Sequence, residues 1–197
     1  MERWALFLFF VAFFIAAFVW RSWRVWHQTG INPYVLPSGD DAQGYIARAF
    51  RLVLLGVAGY AIAQAVWPDF DVHIANLAWL AHPTIHAAGW TILLLSLLWI
   101  GIAQFHMGTA WRIGLDEKNP TTLVSSGLFT LSRNPIFLGM RAGLLGLLLV
   151  RPNGLTLALG IAGELLMQLQ VRHEEAFLLR QHGSAYREYC MRTRRWL

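Results

Sequence analysis

Residues able to do chemistry gather in a few places along this chain. The stretch 121–140 reads TTLVSSGLFTLSRNPIFLGM, a polar, turn-rich segment through Ser125, Ser126 and Gly127 that reaches Arg133-Asn134-Pro135 and becomes apolar. Asn134-Pro135 is a helix-start signal: Asn as N-cap, then Pro at the first helical position, where the missing N–H costs nothing. A loop rich in hydrogen-bonding groups is thus delivered to the positive end of an apolar helix. Further on, 171–189 reads VRHEEAFLLRQHGSAYREY. Glu174 and Glu175 are adjacent, so a helix points them about 100° apart and they cannot act as a facing carboxylate pair. One can look inward while the other is solvated. Arg141 and Glu164 each lie inside an apolar run, about equally far from the turn at Pro152. At about 1.5 Å per residue they share a depth and are expected to face each other across a helical hairpin. Such a pair either fixes the hairpin's register or lines a substrate cavity. His73, His82 and His86 offer too few ligands for zinc, the single Cys190 excludes a multi-cysteine site, and no metal is expected.

These groups need a membrane to position them. The 197 residues are 56% hydrophobic and only 14% charged, with a mean hydropathy of +0.45. A soluble domain carries roughly a quarter of charged residues. The expected fold is therefore all-α, a polytopic membrane protein with about five transmembrane helices at 4–20, 52–67, 89–105, 136–150 and 155–169. The first run ends in Trp20-Arg21-Ser22-Trp23-Arg24, an aromatic and basic interface anchor instead of a cleavage site. Residues 1–110 form an N-terminal part with three spans. Residues 111–197 form a C-terminal part made of a loop, a two-span hairpin and tail helices. The helix of the fifth span is expected to continue past 170, break near Gly183 and resume as a short amphipathic helix. Gly139, Gly143, Gly146, Gly160 and Gly163 suit close helix packing.

Arg3 and Arg151 fall on one side of this layout and Arg141 within a span; every other Arg, and Lys118, falls on the opposite side. By the positive-inside rule the N-terminus is outside, and the 121–140 loop and the tail share the cytoplasmic face. The net charge of +5 reflects this placement, not a nucleic-acid surface. A bacterial inner membrane is the expected location.

The segments TTLVSSGLFTLSRNPIFLG and EEAFLLRQHGSAYREY, separated by a two-span hairpin, resemble the isoprenylcysteine carboxyl methyltransferase and phospholipid methyltransferase family. The resemblance covers about the last 85 residues; the first three spans carry no recognisable motif. It implies an integral-membrane methyltransferase using S-adenosylmethionine at the cytoplasmic membrane face and acting on a lipophilic or lipid-linked acceptor. Matched position by position, the cofactor would be held by Thr121, Thr122, Leu123, Val124, Phe129, Asn134, Pro135, Ile136, Phe137 and Glu174. Main-chain groups of 121–124 would read the adenine edge, the helix N-terminus would take the methionine carboxylate, and Glu174 would accept charge-assisted bonds. Phe129 and Phe137 would offer ring faces to the adenine or the sulfonium. Arg133, Gln170 and Glu174 match the catalytic set.

The chain departs from the family pattern at several of these positions. Asn134 stands for a His, Phe129 and Phe137 stand for Tyr, and Gln170 stands where prenylcysteine enzymes carry a substrate-binding Arg. A carboxylate or thiolate acceptor needs no general base, which favours an anionic acceptor. Two other readings are an NADPH-dependent reductase of the sterol-reductase type and a non-catalytic membrane protein retaining the fold.

Overall fold

The computed structural model describes residues 2–36, 39–67 and 69–197, the side chains at 2, 3 and 42 excepted, so Arg3 lies outside the described side chains. Among the described residues the chain is helical, with only isolated bridges at Tyr34–Ile113 and Asn76–Asn153. The first rod comprises α1 (Glu2–Phe14), a π segment (Ile15–Trp20) and α2 (Arg21–Thr29) without a break. It passes the expected end at Trp20, because nothing in RSWR stops a helix. It ends where Gly30 takes φ 70°, a left-handed cap that a side chain would disfavour. The π turn leaves the Ala17 carbonyl to accept from Gln104 Nε2 at 2.9 Å.

The remaining helices are α3 (Ala42–Val66), α4 (Pro83–Met107), α5 (Pro135–Val150), α6 (Gly154–His182) and α7 (Ser184–Arg192). Their starts follow local chemistry. Asp41 Oδ1 accepts from Gly44 N at 2.8 Å, and His82 caps α4 just before Pro83. Asn153 and Thr156 form a reciprocal capping box at α6. Asn134 departs from expectation: it precedes Pro135 as N-cap, but its side chain makes no capping bond. Its Nδ2 donates to the Arg195 carbonyl at 3.1 Å instead, satisfying an acceptor of the chain's tail. The break at Gly183 and the short helix beyond it stand where the sequence placed them.

Among the described residues four stretches are long and apolar enough to cross a membrane: Trp4–Thr29, Gln43–Val66, Pro83–Ala110 and Gly154–His182. The expected fourth span, α5, has 16 residues, about 24 Å against a hydrocarbon thickness of about 30 Å. Many outward side chains, among them Leu8, Leu52, Leu55, Leu94 and Leu98, are large, apolar and exposed, an outer surface that suits lipid and not water.

α4 and α5 pack most extensively, through small residues. A Cβ on Gly139 would lie 2.5 Å from Ile100 Cγ1, and one on Gly146 would lie 2.9 Å from Leu93 Cγ. Gly163 is likewise closed by Leu144, whereas Gly160 faces open space. The main core gathers Leu6, Phe9, Val57, Tyr60, Leu93, Leu147, Val150 and Leu159 from α1, α3, α4, α5 and α6. A polar pin closes it at the α5–α6 turn: Tyr60 Oη donates to Asp71 at 2.9 Å, and Asn153 Nδ2 donates to both. Arg141 Nε meets Glu164 Oε2 at 2.6 Å across the hairpin, and the Trp196 ring lies 4.3 Å from the Arg141 guanidinium.

Candidate functional site

The end of the bundle opposite the α5–α6 turn carries the loop 108–134, and this loop is shaped by named bonds. Asp116 accepts from Arg112 Nε at 3.2 Å, from the main-chain N–H of Lys118 and Asn119, and from Asn119 Nδ2. Burial alone would raise its carboxyl. The hydrogen bonds from Asn119, Arg112 and Lys118 outweigh that and hold it below the usual carboxylate range. The loop is tied to residues 33–35 by Ile113 N to the Pro33 carbonyl and Val35 N to the Ile113 carbonyl. A 3₁₀ turn, Gly127–Thr130, docks on the end of α4, with Leu128 N donating to His106 Nδ1 at 3.2 Å. Gly127 has φ 62° and a Cβ there would strike the His106 ring, so the position calls for glycine.

α7 closes the loop from the other side. Tyr189 Oη donates to the Phe129 carbonyl at 2.6 Å. Burial pushes the Tyr189 phenol up to about 12, which keeps it a neutral donor. Phe129, Tyr186 and Tyr189 form a second small core joined by Leu123, Val124 and Leu178. The tail then runs back over the start of α5. Arg133 N donates to the Arg194 carbonyl at 2.9 Å, and Ser132 Oγ and Asn134 Nδ2 donate to the Arg195 carbonyl. The Arg195 side chain grips Glu175 with two bonds of 3.0 and 2.7 Å, while Arg133 Nη2 holds the same carboxylate at 3.0 Å.

Between these parts lies a cavity of about 230 Å³. Thr121, Phe129, Arg133, Asn134, Pro135, Ile136, Phe137, Gln170 and Glu174 all line it. The fold therefore brings together candidates from two segments more than thirty residues apart in the chain. Thr122, Leu123 and Val124 are not among the lining residues, and Leu123 and Val124 instead point into the Tyr186–Tyr189 core. Among the described residues no hydrogen bond uses the main chain of 121–124, so those groups stay open beside Thr121. Ile136 and Phe137 line the cavity at the start of α5, where first-turn N–H groups have no partner within the helix.

Charge in the cavity is unevenly neutralised. Arg112 is paired with Asp116, and Arg133 with Glu175. Glu174 and Arg51, which also line the cavity, have no ion-pair or hydrogen-bond partner among the described residues, and Arg51 Nε is buried. Arg51, Gln104, Arg112, Asp116 and Asn119 were missed by motif reasoning. Periodicity held a clue, since Ala47, Phe50, Arg51 and Leu54 share one face of α3 and all line the cavity.

A second, apolar groove of about 390 Å³ adjoins it within the bundle, sharing Phe13, Phe18, Phe50, Leu54 and Met140. Its other walls include Phe10, Phe14, Ala58, Gly143, Leu144 and Met167, from α1, α3, α5 and α6. The arrangement can hold a polar molecule that offers an amine and an anion, with an alkyl chain alongside. Comparisons with protein-family models and with curated proteins find no match for this chain.

Proposed function

We propose that this chain is an integral-membrane methyltransferase that uses S-adenosylmethionine and acts on a lipophilic acceptor. The observation that carries the reading is the shared wall of one cavity: the loop entering α5 and the Gln170–Glu174 face of α6 meet there, beside an apolar groove. On the same reading α5 completes a fifth crossing, with its shortfall taken up by local thinning of the bilayer. The arginine-rich end that carries the cavity then faces the cytoplasm, and the family resemblance of the last 85 or so residues agrees with both.

The residues present fit the methyl donor. Glu174, a carboxylate without a protein partner, can accept charge-assisted bonds from its amino group. The start of α5 can bind its carboxylate through the N–H groups of Ile136 and Phe137. The open main chain beside Thr121 can read a base edge, and Phe129 and Phe137 supply ring faces. When bound, the donor supplies an electrophilic methyl: an acceptor oxygen forms the new O–C bond as the S–C bond breaks, and that electron pair goes to sulfur. With a carboxylate acceptor no proton is released, in keeping with a cavity whose other carboxylate, Asp116, is already saturated by hydrogen bonds. What the chain contributes is alignment and exclusion of water. Arg133 acts as a positioning residue, linking the α5 start to Glu175 on α6 and to the Cys190 carbonyl.

Calorimetry on the purified full chain tests the proposal. S-adenosylmethionine should bind, and Glu174→Gln should weaken it about tenfold or more, the scale of a bond to a charged group. Absence of binding by folded protein, indifference to Glu174→Gln, or preference for NADPH would each overturn it.

A further inference from the structure

The methyl-donor reading leaves one half-buried charge in the cavity unused. Among the described residues three arginines line it, and two are neutralised: Arg112 by Asp116 and Arg133 by Glu175. Arg51 faces no carboxylate within ion-pair distance among the described residues, and its Nε is buried without a partner. A half-buried guanidinium whose Nε lacks a partner has a hydrogen bond to gain from an anion that enters the cavity. Its location says what kind of anion. Phe50, the preceding residue, and Leu54, one turn on, line both the polar cavity and the apolar groove, so Arg51, which lines the polar cavity, sits on α3 between two residues shared with the groove. Glu174 lies elsewhere on the same wall system, with no ion pair to Arg51.

We infer that Arg51 is the anion anchor of the acceptor, and that the acceptor is an alkyl-tailed carboxylate whose chain lies in the apolar groove. The inference rests on the methyl-donor reading only for the word acceptor; the anion site and the groove stand on their own. Gln170, which also lines the cavity, carries no charge to bind such a headgroup.

The test uses the full chain in phosphatidylcholine nanodiscs, with dibromostearic acid and dibromostearyl alcohol as probes of equal tail, read by quenching of the intrinsic tryptophan fluorescence. Wild-type protein should prefer the acid about tenfold or more. Arg51→Gln should abolish that preference, and Arg51→Lys, which keeps the charge, should retain most of it. Equal quenching by acid and alcohol in wild type overturns the inference without recourse to any variant. So does an acid preference that survives in Arg51→Gln. Calorimetry on the same samples separates donor from acceptor. S-adenosylmethionine affinity should change less than about twofold in Arg51→Gln, whereas a loss of about tenfold would assign Arg51 to the donor's carboxylate and overturn the inference. Acid preference lost on Arg51→Gln, in a protein that binds no S-adenosylmethionine, would uphold the anion anchor while removing the methyl donor.

Discussion

Glu175 is gripped by Arg133 and Arg195, while Glu174, one residue earlier, lines the cavity without a partner. That the two diverge was legible beforehand, since neighbours on a helix cannot share a face; that Glu175 is ion-paired and largely buried, where a solvated side chain was expected, was not. Nor was the fate of Asn134. Its side chain reads as an N-cap from local sequence, but the acceptor it serves, the Arg195 carbonyl, lies 61 positions further on. Competition from so distant a group leaves no trace in a ten-residue window. Asp116 offers a prediction at this scale. Its carboxyl is held below the usual range in the fold, so it stabilises the fold fully above its unfolded value near 4, and the contribution is lost as pH falls through the depressed folded value. Asp116→Asn should therefore lower the thermal midpoint at pH 7 and pH 5 alike, with the gap to wild type closing below about pH 4. A gap that widened on acidification would contradict the sign.

Among the elements, the α5–α6 hairpin was the most readable, because a turn signal fixes the depth of every residue on both sides of it. Arg141 and Glu164 accordingly meet at 2.6 Å. Replacing Glu164 by Ala removes the carboxylate partner of Arg141, leaving it the Trp196 ring, and should cost roughly 5 °C in thermal midpoint. The exchanged double variant Arg141→Glu/Glu164→Arg should recover most of that loss in differential scanning fluorimetry. Failure of the exchange with normal expression would mean that the pair does more than hold register. The first rod was read less well. Its apolar run ends at Trp20, but the helix continues to Thr29 through a π turn that no residue-type preference announces. Arg21, expected in a polar connection, is buried and donates to the Gly108 carbonyl. A run of apolar residues marks where lipid is met, not where hydrogen bonding along a helix stops.

For the molecule as a whole, the helical class and the presence of membrane-length apolar helices were accessible from hydropathy, whereas the closure of the site by the tail was not. Residues 193–197 lie across the entry to α5 and supply the carbonyls that Ser132, Arg133 and Asn134 use. A short polar tail has no periodicity and no propensity that would reveal such a role. Deleting 193–197 should leave helix content by circular dichroism unchanged while weakening S-adenosylmethionine about tenfold or more. Unaltered binding would show that the tail merely rests on the loop.

The junction at Phe13, Phe18, Phe50, Leu54 and Met140 has a consequence for turnover. On the proposed reading, esterification erases the charge by which the alkyl compound was retained, so its grip on Arg51 lapses at the moment of reaction. The ester then partitions sideways into the hydrocarbon, and the spent donor, rid of its sulfonium, leaves towards water. Departure of the two products would be directional without any hinge, and the rate-limiting event would shift from chemistry to exchange with the lipid phase.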